Sequence, residues 1–160
     1  MMAVDYGRNA TRAGVDSEVP GGGAELAALR ESPAAAISAR PSVDRWVSLV
    51  RHGLPARSFK VLCDAMGISA ERLAKVAQIA PRTLARRRVF KPDESDRILR
   101  LGWLFQRAAE VLGTEAEARR WLLTPQWSLA GELPLDYADT EPGAREVEAL
   151  LGRIEHGVAA

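Results

Sequence analysis

From Ser42 onward, apolar residues recur every three or four positions except over Gln126 to Asp139; before Ser42 they follow neither that period nor the alternation of a strand. Ser42 is placed to cap a helix whose stripe is Val43, Trp46, Val47 and Val50, interrupted at Gly53 and Pro55. A second helix is predicted from Ala56, with Phe59, Leu62, Cys63 and Met66 inward and Gly67 at a left-handed end. Ser69 then opens a segment carrying Leu73, Ala74, Val76 and Ala77, followed by Gln78-Ile79-Ala80 and the run Pro81-Arg82-Thr83-Leu84-Ala85-Arg86-Arg87-Arg88. This is the shape of a helix-turn-helix. Ala74 is small where the second helix crosses, Ile79 and Leu84 lock the angle, and Pro81 suits a first turn that needs no N–H. Gln78 stands where such turns usually carry glycine. A left-handed conformation costs a residue with a side chain ~1 kcal/mol, so a distorted or slightly longer turn is expected.

A longer helix follows. Pro92, Asp93, Glu94 and Asp96 complement the dipole of its first turn, Ile98, Leu101, Leu104, Phe105, Ala108, Val111 and Leu112 form its stripe, and Gly113 closes it. Gly102 inside it marks a bend or the close approach of another helix. Thr114 and Glu117 form a capping box for a short helix with Trp121 and Leu122 that ends before Pro125. Gln126 to Asp139 lacks a clean period but is too apolar for a linker, so it is predicted as a structured loop. Thr140 caps a last helix with Ala144, Val147, Leu150, Leu151 and Ile154 buried, ending at His156-Gly157-Val158. The fold class is all-α: a helix-turn-helix bundle over 42–105 and a small helical module over 106–160. Residues 1–41 scatter glycine and proline among small polar residues and are read as a flexible tail. Its one helix-compatible stretch, Ala24 to Arg30, is shorter than the ~12 residues a lone helix needs and would order only by docking.

A chain of 160 residues, 47% hydrophobic and 27% charged, holds one ordinary core or two small modules. The net charge of +1 predicts no partner, but its distribution does. Arg82, Arg86, Arg87, Arg88 and Lys91 form a basic block on and just after the second helix of the helix-turn-helix. Arg82, Thr83 and Arg86 are placed to face base edges, and Arg87, Arg88 and Lys91 to meet phosphates. The other reading is a solvated basic face, or a surface for an acidic partner. From Glu132 onward acids outnumber Arg145 and Arg153, which suits a second face for a second partner, or an ordinary solvated acidic helix.

Catalysis finds little support. His52 and His156 are the histidines, Cys63 lies on an inward face as a structural thiol, and no nucleophile–base or metal-ligand spacing occurs. The Pro20-Gly21-Gly22-Gly23 run is not followed by the Lys-Ser or Lys-Thr of a phosphate loop. No cofactor is expected. With no apolar run of membrane-spanning length and no signal-peptide pattern, the expected location is the cytoplasm.

The run Glu94-Ser95-Asp96-Arg97-Ile98-Leu99-Arg100-Leu101, the segment from Ala108 to Leu122, and Thr124-Pro125 followed by Pro134-Leu135 resemble the Xre/MbcA/ParS antitoxins. So do Thr140 to Val147 and Leu150 to Val158, which are similar to that family's C-terminal toxin-binding module; the likeness runs from about Val43 to the end. The resemblance implies an antitoxin of a type II toxin-antitoxin system, a homodimer that binds its own promoter DNA as an autorepressor. It further implies a partner RES-domain toxin, an NAD-consuming enzyme inhibited by covering its active site. The surfaces it implies for the toxin are the loop with Trp127, Leu129 and Tyr137, and the terminus with Arg153, Glu155, His156, Gly157 and Val158. Trp127, after Thr124-Pro125-Gln126, departs from the pattern, in which Asn and a small residue follow the Thr-Pro segment. The alternative is a stand-alone repressor whose C-terminal half dimerises or senses a small molecule.

Overall fold

The computed structural model describes residues 42–84 and 86–157. The tail over 1–41, its Ala24–Arg30 stretch and Val158 lie outside the described residues. The described residues form helices α1 (Val43–His52), α2 (Ala56–Met66), α3 (Ala70–Val76), α4 (Pro81–Leu84), α5 (Pro92–Leu112), α6 (Glu115–Leu122), α7 (Pro134–Tyr137) and α8 (Glu141–Glu155), with a 3-10 turn at Trp127–Leu129. No named strand occurs among them, as the all-α reading requires.

The expected caps are in place. The hydroxyls of Ser42, Ser69, Thr114 and Thr140 accept backbone N–H groups of Arg45, Arg72, Glu117 and Gly143, each satisfying a donor that the first helical turn leaves orphaned. The loop after α6 is structured, and it contains a helical turn that the sequence pattern did not reveal: Pro134 opens α7, and Leu135 is buried beneath it.

α5 is the axis of the molecule. α1, α2, α6 and α8 pack on it, and it buries Ile98, Leu101, Leu104, Phe105 and Ala108. Gly102 is also buried. The expected boundary at 105/106 falls inside this continuous helix, and a single hydrophobic cluster runs from Leu54 and Phe59 through α5 to Val147 and Leu151. Val147 and Leu151 are fully buried; truncating such a leucine to alanine costs about 2–5 kcal/mol. Cys63 is buried too, and loss of hydration, reinforced by Asp64, raises its pKa to about 11. That thiol stays protonated and structural.

α1 departs from expectation. None of its residues is buried, and Val43 is 79% exposed. It is fastened to α5 by the Trp46 indole, whose Nε1–H donates to Asp96 Oδ1 at 2.9 Å. Periodicity identified an apolar stripe, but the described residues cover only part of it.

Candidate functional site: a basic face and an acidic face

The turn of the helix-turn-helix closes with the geometry that its missing glycine put in question. Ile79 N–H bonds to Ala74 O at 2.8 Å and Gln78 N–H to Lys75 O at 3.1 Å, the paired bonds of a left-handed helix end, with Gln78 at φ 54°. The turn is neither lengthened nor distorted. The cost of ~1 kcal/mol for a side chain in this region is offset by the Gln78 amide, which donates through Nε2 to Asp139 O at 3.2 Å.

After this turn the helical segment is short. α4 covers Pro81–Leu84, and the Arg86 and Arg87 N–H groups both bond back to Thr83 O. The backbone is then pinned alongside the α1–α2 linker: Ala56 N–H bonds to Arg88 O at 2.9 Å and Phe90 N–H to Leu54 O at 2.8 Å. The fully buried Ser95 hydroxyl accepts Leu54 N–H at 2.9 Å and fixes the same junction from α5. Gly53, at φ 78°, faces this crossing; a Cβ there would overlap the Phe90 carbonyl. The basic side chains are thus presented from a short, clamped segment, and only part of the block sits on a helix.

Within the block the arginines differ. Arg82, Arg86, Arg88 and Lys91 are exposed and, among the described residues, have no acidic partner. Thr83 is half-buried. Arg87 is committed elsewhere: its guanidinium lies 2.7 Å from Glu94, a nearly buried carboxylate that also accepts Lys91 N–H at 2.9 Å. Its charge is largely neutralised by the protein, so the structure gives it a clamping role where sequence reasoning had it meet phosphate. The signal was present in the sequence, because an acid at the third position of a helix commonly reaches back to the cap.

The segment after α6 is built around a closed loop. Gln126 N–H bonds to Glu132 O, and Gly131 N–H returns to Gln126 O, each at 3.0 Å. Ala130 and Gly131 turn the chain through left-handed conformations. Leu129 is 1% exposed and plugs the core beneath the loop, so its expected role as a toxin contact is corrected to support of the loop. Trp127 is 94% exposed at the loop's edge. Beside it, Ser128, Glu132, Asp136, half-buried Tyr137, Asp139 and Glu146 line an open acidic groove of about 570 Å³. Gly143 completes its floor, because a Cβ there would overlap the Tyr137 carbonyl oxygen.

The terminus is more firmly held than the sequence implied. Both carboxylate oxygens of Glu155 take guanidinium N–H groups of Arg107, a fork that lowers the pKa of Glu155. Arg153 pairs with Glu146 at 3.1 Å. His156 and Gly157 are exposed beyond α8. Sequence reasoning also missed Arg72, which pairs with Asp136 at 2.7 Å and, together with Gln78, ties the helix-turn-helix to the acidic face.

Comparison with known proteins divides the chain at the middle of α5. Residues 45–101 match the antitoxin Xre-like helix-turn-helix domain, and residues 107–157 match the antitoxin Xre/MbcA/ParS C-terminal toxin-binding domain. An antitoxin Xre of Yersinia enterocolitica is 35% identical over 127 residues, covering 66% of this chain and 86% of the relative. One of Photorhabdus laumondii is 30% identical over 116 residues, covering 69% and 78%. A third, from Pseudomonas putida, is 35% identical over 65 residues, 41% of each chain. With both domains matched in order and two relatives covered over most of their length, the chain belongs to the Xre family of antitoxins, regulators with a DNA-binding helix-turn-helix and a toxin-binding domain.

Proposed function

We propose that the toxin held by this antitoxin is a RES-domain enzyme that consumes NAD, and that the Trp127 loop and the end of α8 cover its active-site entrance. The observation that carries this reading is Trp127. An indole left 94% exposed on a hydrogen-bonded loop is costly to leave in water and is the kind of rigid anchor that dominates protein interfaces. Tyr137 and the acidic groove adjoin it, while Arg153, Glu155, His156, Gly157 and Val158 form the neighbouring terminal contact. Grip and occlusion then belong to different residues. In an assay of NAD consumption at saturating antitoxin, the intact chain abolishes activity, whereas a chain lacking residues 157–160 still binds but leaves residual turnover. Equal inhibition by both forms moves occlusion to the loop; failure of the intact chain to bind such a toxin overturns the proposal.

As a homodimer the antitoxin represses its own promoter, with Arg82, Thr83 and Arg86 toward base edges and Arg88 and Lys91 toward phosphates. The four phosphate contacts that Arg88 and Lys91 make per dimer give a slope of about −4 for log affinity against log salt. Absence of retardation of the upstream promoter fragment, or a salt-independent interaction, refutes this arm.

A further inference from the structure

We infer that the open face of α1 is a docking groove for the chain's own N-terminal segment, with Leu26 and Leu29 seated on it. The groove, about 550 Å³, runs between α1, α5 and α8. Val43, Trp46, Val47 and Trp103 supply its apolar lining, and Glu141, Arg145 and Glu148 its polar wall, with Glu141 already paired to Arg145. α1 places its apolar stripe here yet buries none of its residues, so the helix has a face built for covering.

Three features favour the N-terminal segment over other occupants. The preceding chain enters at Ser42, the cap of the helix that lines the groove, and the stretch from Leu29 to Ser42 reaches at most about 45 Å when extended, against an α1 length of about 15 Å. A short return is therefore sterically easy, and a tether of this length holds the segment at an effective concentration in the millimolar range. The pattern also fits: Ala24-Glu25-Leu26-Ala27-Ala28-Leu29-Arg30 puts two leucines at helical spacing with Arg30 beside them. Arg30 meets a wall on which Glu148 lies beyond the pair of Glu141 and Arg145. A second copy fits poorly by size, because the face of so short a helix offers on the order of 150 Å², far below the roughly 800 Å² per partner of a stable interface.

The test uses the full chain. Leu26→Asp/Leu29→Asp alters only the segment and leaves the helical core untouched. By hydrogen exchange, the amides of Val43–His52 lose about tenfold protection in this variant, at a level independent of protein concentration. A Leu29→Cys/Val47→Cys pair, with buried Cys63 unreactive, forms an intramolecular disulfide that migrates as a monomer. Unchanged protection of α1 in the Asp variant overturns the proposal. So does protection that rises with protein concentration, or a disulfide found only between chains, since either assigns the groove to a second copy.

Discussion

The two working faces handle charge in opposite ways. On the basic face Arg82, Arg86, Arg88 and Lys91 are left without acidic partners among the described residues. On the acidic face the arginines are matched: Arg72 with Asp136, Arg107 with Glu155, Arg145 with Glu141 and Arg153 with Glu146. The exposed feature there is an indole. The difference follows from what each partner requires. A phosphate backbone is bound by cations that displace counterions, so those cations must be unpaired. A protein partner is bound by burying surface, and arginines already neutralised by neighbours leave an exposed aromatic beside acids such as Glu132 and Asp139, which form no salt bridge among the described residues. The same residue type, arginine, is thus left unpaired on one face and used as a fastening on the other, and Arg87 shows that the division does not follow position in the sequence.

The largest expected effect tests the aromatic side of this contrast. Trp127→Ala lowers toxin affinity by about 3 kcal/mol, within the range of interface hot spots, with no change in melting temperature because the side chain supports nothing. Calorimetric titration with the toxin checks it; a loss below tenfold would remove Trp127 as the anchor.

Arg87→Ala probes the boundary between ligand and fastening. Removing the guanidinium strands the nearly buried Glu94, costing about 1–3 kcal/mol of stability, while the salt slope of DNA binding stays as it was. Arg88→Ala should do the reverse, flattening the slope by about 0.9 per protomer with stability intact. Denaturant titration beside binding at several salt concentrations separates the two, and identical behaviour of the variants breaks the distinction.

Gln78 sharpens the link between the faces. Gln78→Ala keeps the left-handed backbone and loses the bond to Asp139, so it costs about 1 kcal/mol. Gln78→Gly removes the strain as well and lies close to the parent. If both variants unfold at the parent's denaturant midpoint, the side-chain bond contributes nothing.

The smallest effect is on acid stability. The Arg107 fork holds Glu155 below its ordinary pKa, so its contribution is complete above the unfolded value of about 4.3 and is lost as pH falls through the lower folded value. Glu155→Gln should remove this shallow decline while leaving the melting temperature near neutral pH little changed. Acid melting curves that superimpose on the parent's below that range would show the pair to be inert.

Helix starts and ends were legible because they are local. Ser42, Ser69, Thr114 and Thr140 cap within three residues of themselves, and the apolar spacings of α2, α5 and α8 report their buried faces directly. The basic block was equally visible as composition. What the sequence by itself determined, then, was the all-α class, the helix-turn-helix, the closing helix and the supply of charge. The tertiary structure decided which of those groups remain available. Leu129 and Trp127 lie two positions apart in one apolar loop, and only its hydrogen-bonded closure sends one into the core and the other into solvent. Arg87 is neutralised because the clamp at Arg88 and Phe90 brings it back to Glu94, and Gln78 is accommodated by a carbonyl 61 positions away. Periodicity records that a helix has a face to bury; what covers that face depends on contacts between distant segments, whose spacing no local pattern encodes.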